Sequence, residues 1–149
     1  MVTKILMVCL GNICRSPLAE ESLRQKVDPK LVYVDSAGTG GYHIGKRPDV
    51  RSIAIATEHG LDISGQRCRK LCKEDLADFD LIFAMDKSNY NDIVALTVNM
   101  AEKRKVSLLL DEVPLGIKEV PDPYYDGEEG FEKVYQLIDT ACRAIADRL

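Results

Sequence analysis

The chain has 149 residues, of which 46% are hydrophobic and 30% are charged, and its formal net charge is −4. This length and composition predict one globular domain covering residues 1–149, and the negative balance gives no support to a nucleic-acid partner. No apolar run approaches the roughly 20 residues of a membrane span, so we expect no membrane partner.

The cysteines point to a reducing compartment. Their number is odd, at five, and their spacing does not match the disulfide framework of a secreted protein. We therefore expect free thiols and a cytoplasmic location. A zinc site from Cys9, Cys14, Cys68 and Cys72 is disfavoured, because the two pairs are separated by four and three residues rather than by a tight zinc-binding spacing.

The N-terminal segment predicts a strand, a loop and a helix. Residues 3–8 form a short apolar run, which is typical of a parallel strand buried on both faces. The following loop, residues 9–15, is called the Cys9 loop below. Ser16 is the predicted N-cap of the first helix and Pro17 its first residue.

The Cys9 loop places a thiol and an arginine at a helix N-terminus. Backbone N–H groups and the helix dipole favour both a thiolate on Cys9 and a bound phosphate there. Gly11 and Asn12 readily adopt the positive φ angles of an anion-binding loop. The Cys-x5-Arg spacing alone is weak evidence, because Cys142 and Arg148 repeat it inside a predicted helix.

Strands and helices alternate along the rest of the chain. The sequence predicts further strands over residues 31–34, 80–85 and 106–110, and further helices over residues 49–59, 87–105 and 131–149. This alternation predicts a three-layer αβα fold with a four-stranded parallel sheet and the Cys9 loop between strand 1 and helix 1. Ligands in such folds bind beyond the carboxyl ends of the strands, where Ser36, Asp86 and the loop around Asp122 also lie.

Four side chains fit a phosphoryl transfer. Cys9 would attack phosphorus, and the planar fork of Arg15 would hold two phosphoryl oxygens. Ser16 would donate a hydrogen bond to the Cys9 sulfur. Asp122, held between Pro121 and Pro123, would protonate the leaving oxygen and later deprotonate the attacking water.

Three separated motifs carry a family resemblance. VCLGNICRSP at residues 8–17, DSAGT at 35–39 and DPYY at 122–125 together resemble the low-molecular-weight protein tyrosine phosphatases, in order and over essentially the whole chain. The resemblance implies hydrolysis of phosphotyrosine and small aryl phosphates through a phosphocysteine intermediate, with no metal or organic cofactor. It implies phosphotyrosine-containing proteins or peptides as partners, and we expect a monomer or weak dimer.

The resemblance also assigns the supporting residues. It implies that Asn12 adopts a left-handed conformation in a hydrogen-bond network with Ser16, Ser36 and His59. The alternative for His59 is a histidine at a helix end that satisfies the terminal carbonyl groups. It implies that Cys14 forms a reversible, protective disulfide with Cys9. The phosphate-binding residues would be Leu10, Gly11, Asn12, Ile13, Cys14 and Arg15, and the substrate cleft would be walled by Leu10, Ile13, Tyr42, Tyr124 and Tyr125.

Two other functions remain open from the sequence. An arsenate reductase on the same fold would relay a disulfide from Cys9 through Cys68 and Cys72. A non-catalytic phosphate-binding module would need no acid such as Asp122. The basic cluster at residues 67–73 is interpreted as a solvated face, with docking of acidic partners as the alternative.

Overall fold

The computed structural model describes residues 1–149, in which four strands alternate with six α-helices. Their bounds in chain order are β1 Thr3–Cys9, α1 Arg15–Arg24, β2 Val32–Gly38, α2 Val50–Glu58, α3 Lys73–Asp78, β3 Leu81–Ala84, α4 Lys87–Val94, α5 Met100–Lys103, β4 Val106–Leu108 and α6 Glu128–Arg148. A 3-10 turn, Leu109–Glu112, follows β4. None of these helices is both long and apolar enough to cross a bilayer.

The four strands form one parallel sheet in the order β2-β1-β3-β4. The predicted four-stranded parallel sheet is therefore confirmed. The chain leaves β1 for one neighbour, β2, and later returns on the other side of β1 as β3. This change of direction opens a crevice at the carboxyl ends of β1 and β3, where the Cys9 loop lies.

Helices cover both faces of the sheet. The side chains of β1 point alternately to the two faces and so contribute to two hydrophobic cores. Ile5 and Met7 contribute to a cluster with residues of α1, α2 and α6. Leu6 and Val8 contribute to a smaller cluster with residues of α3 and α4. The predicted apolar stripe of the last helix is confirmed by its buried residues, which are Phe131, Val134, Tyr135, Ile138, Ala141, Cys142 and Ile145.

Two predicted boundaries were wrong. The second strand does not end at Val34 but pairs with β1 as far as Gly38. A Cβ at Gly38 would lie 2.8 Å from the Leu10 carbonyl oxygen, so glycine permits the end of β2 to approach the Cys9 loop. The helix predicted over 87–105 is two helices, since the Asn99 side chain accepts a hydrogen bond from the Glu102 N–H and begins α5 anew.

Candidate active site

The Cys9 loop is fixed by hydrogen bonds from two neighbouring elements. Residues 39–40, just after β2, donate backbone hydrogen bonds of 2.9 Å to the Cys9 and Leu10 carbonyls. The Asp49 N–H, at the start of α2, donates to the Ile13 carbonyl at 2.8 Å. These bonds fix three carbonyl oxygens of the loop by contacts outside it. The loop N–H groups are therefore not needed to satisfy those carbonyls and can bind an anion.

One N–H group of the loop donates to the thiol, and two others have no backbone acceptor. The Asn12 N–H donates to the Cys9 Sγ at 3.3 Å. The N–H groups of Gly11 and Ile13 donate to no backbone acceptor within the protein. This arrangement favours negative charge both on the sulfur and on an oxyanion bound next to it.

Asn12 is the one non-glycine residue with positive φ, at 57°. Its side-chain amide nitrogen donates to Ser16 Oγ at 2.8 Å and to Ser36 Oγ at 3.0 Å, and its amide oxygen accepts from the Arg69 N–H at 3.0 Å. The Cys68 thiol donates to the Asn12 carbonyl at 2.9 Å. Four hydrogen bonds thus hold a backbone conformation that costs about 1 kcal/mol or more when unsupported.

Glu20 lies at the far end of the hydrogen-bond network that leads to Cys9, while the Asn12 amide in the middle of the network is oriented by the Arg69 N–H. As a carboxylate Glu20 can only accept, so the Ser36 hydroxyl donates to it at 2.6 Å. Ser36 then accepts from Asn12, which also donates to Ser16. The Ser16 hydroxyl hydrogen is left to point at the Cys9 sulfur, 3.1 Å away. A thiolate on Cys9 is therefore stabilised by the Ser16 hydroxyl, whose hydrogen is directed to the sulfur because its oxygen already accepts from the Asn12 amide.

Glu20 itself is buried and paired. Its side chain is 6% exposed and forms an ion pair with Arg24, one helical turn further along α1. Burial raises the pKa of Glu20, although the hydrogen bonds from Ser36 and Arg24 oppose that rise by stabilising the carboxylate.

Ser16 does not cap the first helix, so that prediction was wrong. Helix α1 begins at Arg15, with Cys14 at the N-cap position and no side-chain capping bond. The Ser16 hydroxyl is instead shared between Asn12 and Cys9 inside the site. A side chain committed to two buried partners cannot also reach the N–H groups of its own helix end.

His59 lies outside the Asn12 network, so its predicted place there was also wrong. Its Nε2 is 2.8 Å from Glu132 Oε1, and its ring stacks on Tyr135 with 3.9 Å between centroids. His59 is the C-cap residue of α2, and the packing of α2 against α6 turns its ring toward α6. The contacts that the resemblance gave to His59 are made by Glu20, Arg69 and Cys68 instead.

Arg15 reaches the cavity from beneath, with its side chain 3% exposed. Nη1 donates to Asp86 Oδ2 at 2.7 Å and to the Val120 carbonyl at 2.9 Å. Nε and Nη2 donate no hydrogen bond to the protein, which leaves one edge of the fork for two oxygens of a ligand. Burial by itself would lower the pKa of Arg15, but Cys9, as the larger of the opposing causes, and Asp86 raise it, so the cation persists.

Asp122 lies opposite the Cys9 loop, on the segment that follows the fourth strand. Its side chain is 45% exposed, and Oδ2 is 3.7 Å from Arg15 Nη2. Oδ1 accepts from the Tyr124 N–H at 3.1 Å, and the nearby Val120 N–H donates to the Met85 carbonyl at 2.8 Å. The carboxyl group is therefore held near the cavity while remaining open to solvent.

These groups surround one cavity of about 260 Å³. Cys9, Arg15 and Asp122 lie at its base and side, and its walls are largely apolar. The lining residues are Cys9, Leu10, Gly11, Ile13, Cys14, Arg15, Tyr42, His43, Asp122, Tyr124 and Tyr125. A narrow apolar slot above an anion-binding base suits a flat aromatic group that carries a phosphate.

The thiols of Cys14 and Cys68, which lie near Cys9, have raised pKa values and are not activated as nucleophiles. Burial, and next Asp49, raise the pKa of Cys14 to about 12, and burial, and next Cys9, raise the pKa of Cys68 to about 11. Both groups are therefore neutral thiols near pH 7. All five cysteines are free, and the structure contains no group of three or more His, Cys, Asp or Glu residues arranged to hold a metal.

Sequence reasoning missed several residues of the site. Asp86 was placed at the right edge of the sheet but was given no role, although its position after a buried strand was a usable signal. Glu20 is four residues after Ser16, a spacing that puts both on one helix face. Cys68 and Arg69 lie in a segment without periodicity, so no local pattern indicated their contacts with Asn12.

Comparison with known proteins identifies close relatives along the whole chain. The family model described as low molecular weight phosphotyrosine protein phosphatase matches residues 4–149. A Drosophila melanogaster protein named low molecular weight phosphotyrosine protein phosphatase 1 is 42% identical over 150 residues, covering 97% of this chain and 95% of its own. The Homo sapiens protein named low molecular weight phosphotyrosine protein phosphatase is 40% identical, covering 97% of this chain and 94% of its own.

Solved structures agree with this result. The crystal structure of a protein tyrosine phosphatase from Entamoeba histolytica superposes with a TM-score of 0.93 at 35% identity, covering 98% of this chain and 96% of that one. The structure of YfkJ from Bacillus subtilis gives a TM-score of 0.91 at 37% identity, covering 99% and 94%. The similarity therefore extends beyond the loop motifs to the full set of elements.

The Glu20 hydrogen-bond chain gives a testable expectation. Glu20→Gln replaces a carboxylate that only accepts by an amide that can also donate to Ser36, so the Ser36 hydroxyl loses its fixed acceptor and its support of the Asn12 amide weakens. We expect kcat for p-nitrophenyl phosphate to fall about tenfold, the equivalent of roughly 1.4 kcal/mol, and the pH dependence of Cys9 alkylation by iodoacetate to shift upward.

Glu21→Gln is the matched control for this substitution. Glu21 is also buried and also pairs with Arg24, but it does not contact Ser36. An equal loss of activity in both variants, or an unchanged alkylation profile in Glu20→Gln, would show that Glu20 acts only through stability or local charge.

Proposed function

This chain belongs to the low-molecular-weight protein tyrosine phosphatases and is a phosphoric monoester hydrolase; from this premise we propose that it cleaves phosphotyrosine through a phosphocysteine on Cys9. The observation that carries the mechanism is the convergence of Cys9, Arg15 and Asp122 on one cavity. A phosphate-binding module would need no acid such as Asp122.

The first step transfers the phosphoryl group to sulfur. The Cys9 thiolate attacks phosphorus, an S–P bond forms and the bond from phosphorus to the tyrosyl oxygen breaks. Protonated Asp122 supplies a proton to the leaving oxygen, which departs as a phenol. Its position across the cavity from the Cys9 loop, close to Arg15, supports this role.

Arg15 and the loop N–H groups stabilise the charge that spreads over the phosphoryl oxygens. Anchoring of Nη1 by Asp86 and Val120 fixes the plane of the guanidinium before substrate arrives. A preoriented donor needs no reorganisation during the reaction, which is the main source of electrostatic catalysis. The loop segment Leu10, Gly11, Asn12, Ile13 and Cys14 contributes backbone donors.

The second step releases phosphate and restores the thiol site. Asp122, now a carboxylate, takes a proton from water as the water oxygen attacks phosphorus and the S–P bond breaks. The electron pair returns to Cys9, where the Ser16 hydroxyl and the Asn12 N–H stabilise the departing thiolate. Inorganic phosphate is the product, and no net redox change occurs.

The cleft walls support phosphotyrosine as the preferred ester. Tyr42, Tyr124 and Tyr125 rise above the cavity, and the rings of the last two are 5.0 Å apart and nearly perpendicular. A phosphate on a long aromatic side chain reaches the base of such a slot, whereas phosphoserine is too short. The Cys9–Cys14 disulfide remains a prediction, supported by the fact that both thiols line the same cavity.

We expect residues 1–149 to act as one phosphatase domain, as a monomer or weak dimer, in the cytoplasm. Phosphotyrosine-containing proteins are the substrates that the family implies, without a nucleic-acid or membrane partner. The family match over residues 4–149 supports the single domain.

Removal of the nucleophile should abolish turnover without removing the phosphate site. Cys9→Ser should lower p-nitrophenol release from p-nitrophenyl phosphate by at least about 10³-fold, since a neutral hydroxyl cannot replace the thiolate. Inorganic phosphate should still bind in calorimetry and the circular dichroism spectrum should be unchanged. Substantial turnover by this variant would contradict the phosphocysteine mechanism.

Removal of the Asp122 carboxyl group should slow turnover most for substrates whose leaving oxygen is a strong base and must be protonated. Asp122→Asn should lower kcat by about 10²-fold or more for phenyl phosphate, and less for p-nitrophenyl phosphate, whose leaving group is a weaker base. Asp126→Asn, an exposed aspartate of the same loop, is the control. Equal losses with both substrates would argue that Asp122 does not protonate the leaving oxygen.

The arsenate alternative can be tested on the wild-type chain. We expect release of phosphate from an aryl ester and no reduction of arsenate with a thiol donor, with Cys72→Ser matching wild type. The buried Cys68 thiol, with its raised pKa, donates to the Asn12 carbonyl and is poorly suited to a thiol relay. Arsenate reduction without ester hydrolysis would overturn the proposed function.

A further inference from the structure

A second groove opens directly beside the active-site cavity. It has a volume of about 520 Å³ and shares two walls with that cavity, Leu10 and Tyr42. A polypeptide that leaves the cavity over Tyr42 therefore enters this groove. Lys70 and Lys73 line it, so it is called the lysine groove here.

The lysine groove carries more positive than negative charge in its lining. Lys70 and Lys73 are exposed, and neither makes an ion pair or a side-chain hydrogen bond within the protein. Asp92 is the single acidic residue in the lining. The groove is thus locally positive on a chain whose formal net charge is −4.

The backbone that carries these lysines is fixed to the active site. Lys70 forms an isolated parallel bridge with Gly38, in which the Leu71 N–H donates to the Gly38 carbonyl at 2.7 Å. The neighbouring Arg69 N–H donates to Asn12 in the Cys9 loop. The backbone from which the two lysine side chains extend therefore has a defined place relative to the phosphate site.

The opposite side of the cavity has the opposite charge. A groove of about 310 Å³ beyond the Tyr124 wall is lined by Glu58, Glu128, Glu129 and Glu132 with one cation, Arg51, and is called the glutamate groove. The Arg51 guanidinium lies 5.4 Å from the Tyr124 ring and is already paired with Asp49 at 2.8 Å. A substrate chain that crosses the cavity thus passes from a basic to an acidic surface.

We propose that the lysine groove binds an acidic residue flanking the phosphotyrosine of a protein substrate, and that the two grooves together select the charge pattern of the substrate. The inference rests on the proposed function, because it needs a phosphotyrosine seated above Cys9. Acidic side chains are favoured on the flank that passes Tyr42. On the other flank the glutamate groove disfavours acidic side chains and favours basic ones.

The test uses phosphotyrosine peptides that differ by Glu or Lys on one flank at a time. We expect wild-type kcat/KM, divided by that for p-nitrophenyl phosphate, to favour Glu by about threefold to tenfold on one flank and Lys on the other. The double variant Lys70→Glu/Lys73→Glu should reverse the preference on the first flank only. High salt should weaken both preferences.

A matched double variant separates this groove from net charge. Lys30→Glu/Lys103→Glu makes the same charge change at exposed lysines near the amino ends of β2 and β4, on the far edge of the sheet. It should keep the wild-type preferences. The same preference on both flanks, no preference at all, or an equal response in the two double variants would overturn the proposal.

The two proposals fail in distinguishable ways. Hydrolysis of p-nitrophenyl phosphate without any flank preference overturns the lysine groove and leaves the phosphatase mechanism intact. Absence of ester hydrolysis by the wild-type chain overturns the mechanism and, with it, the inference that depends on it.

Discussion

The left-handed backbone of Asn12 is the constraint on which the site depends. A positive φ at this residue accompanies a tight turn in which the Asn12 N–H donates to the Cys9 sulfur, and an L-residue adopts such a φ only when other contacts offset the strain. The amide of Asn12 supplies those contacts and is itself oriented by Arg69 and Ser36. The same amide directs the Ser16 hydroxyl to the sulfur. Loop shape and nucleophile stabilisation therefore have one origin.

The sheet topology explains why residues far apart in the chain meet at this loop. Because the chain passes from β1 to β2 on one side and back to β3 on the other, the carboxyl ends of β1 and β3 border an open crevice. Arg15 crosses it to reach Asp86 after β3, and the same nitrogen contacts Val120. That contact holds the Asp122 segment beside the cavity that Cys9 also lines. The hydrogen bond from Arg15 to Val120 thus also helps to position the segment that carries Asp122.

Segment 68–71 connects the loop to the surface that a substrate would cross. It satisfies the Asn12 carbonyl and amide oxygen from one side and extends the sheet by a bridge to Gly38. Its next residues project into the lysine groove. Backbone hydrogen bonding fixes this segment relative to the Cys9 loop, so the proposed binding of an acidic substrate residue would take place at a set distance from the phosphate site. Although residues 68–71 do not belong to a strand, they form hydrogen bonds both with the Cys9 loop and with the end of β2.

Periodicity and composition were sufficient for the architecture and the apolar stripe of the last helix, and the motifs predicted that Cys9, Arg15 and Asp122 lie at one site. Those features arise from local patterns: buried runs, helix spacing and a thiol before a helix. The contacts of Ser16, His59, Glu20 and Cys68 were decided only by the tertiary structure. Each depends on which helix faces which neighbour and on how a limited number of donors and acceptors are shared once water is excluded. A sequence specifies which groups can form hydrogen bonds, but only the packed fold decides which of them do.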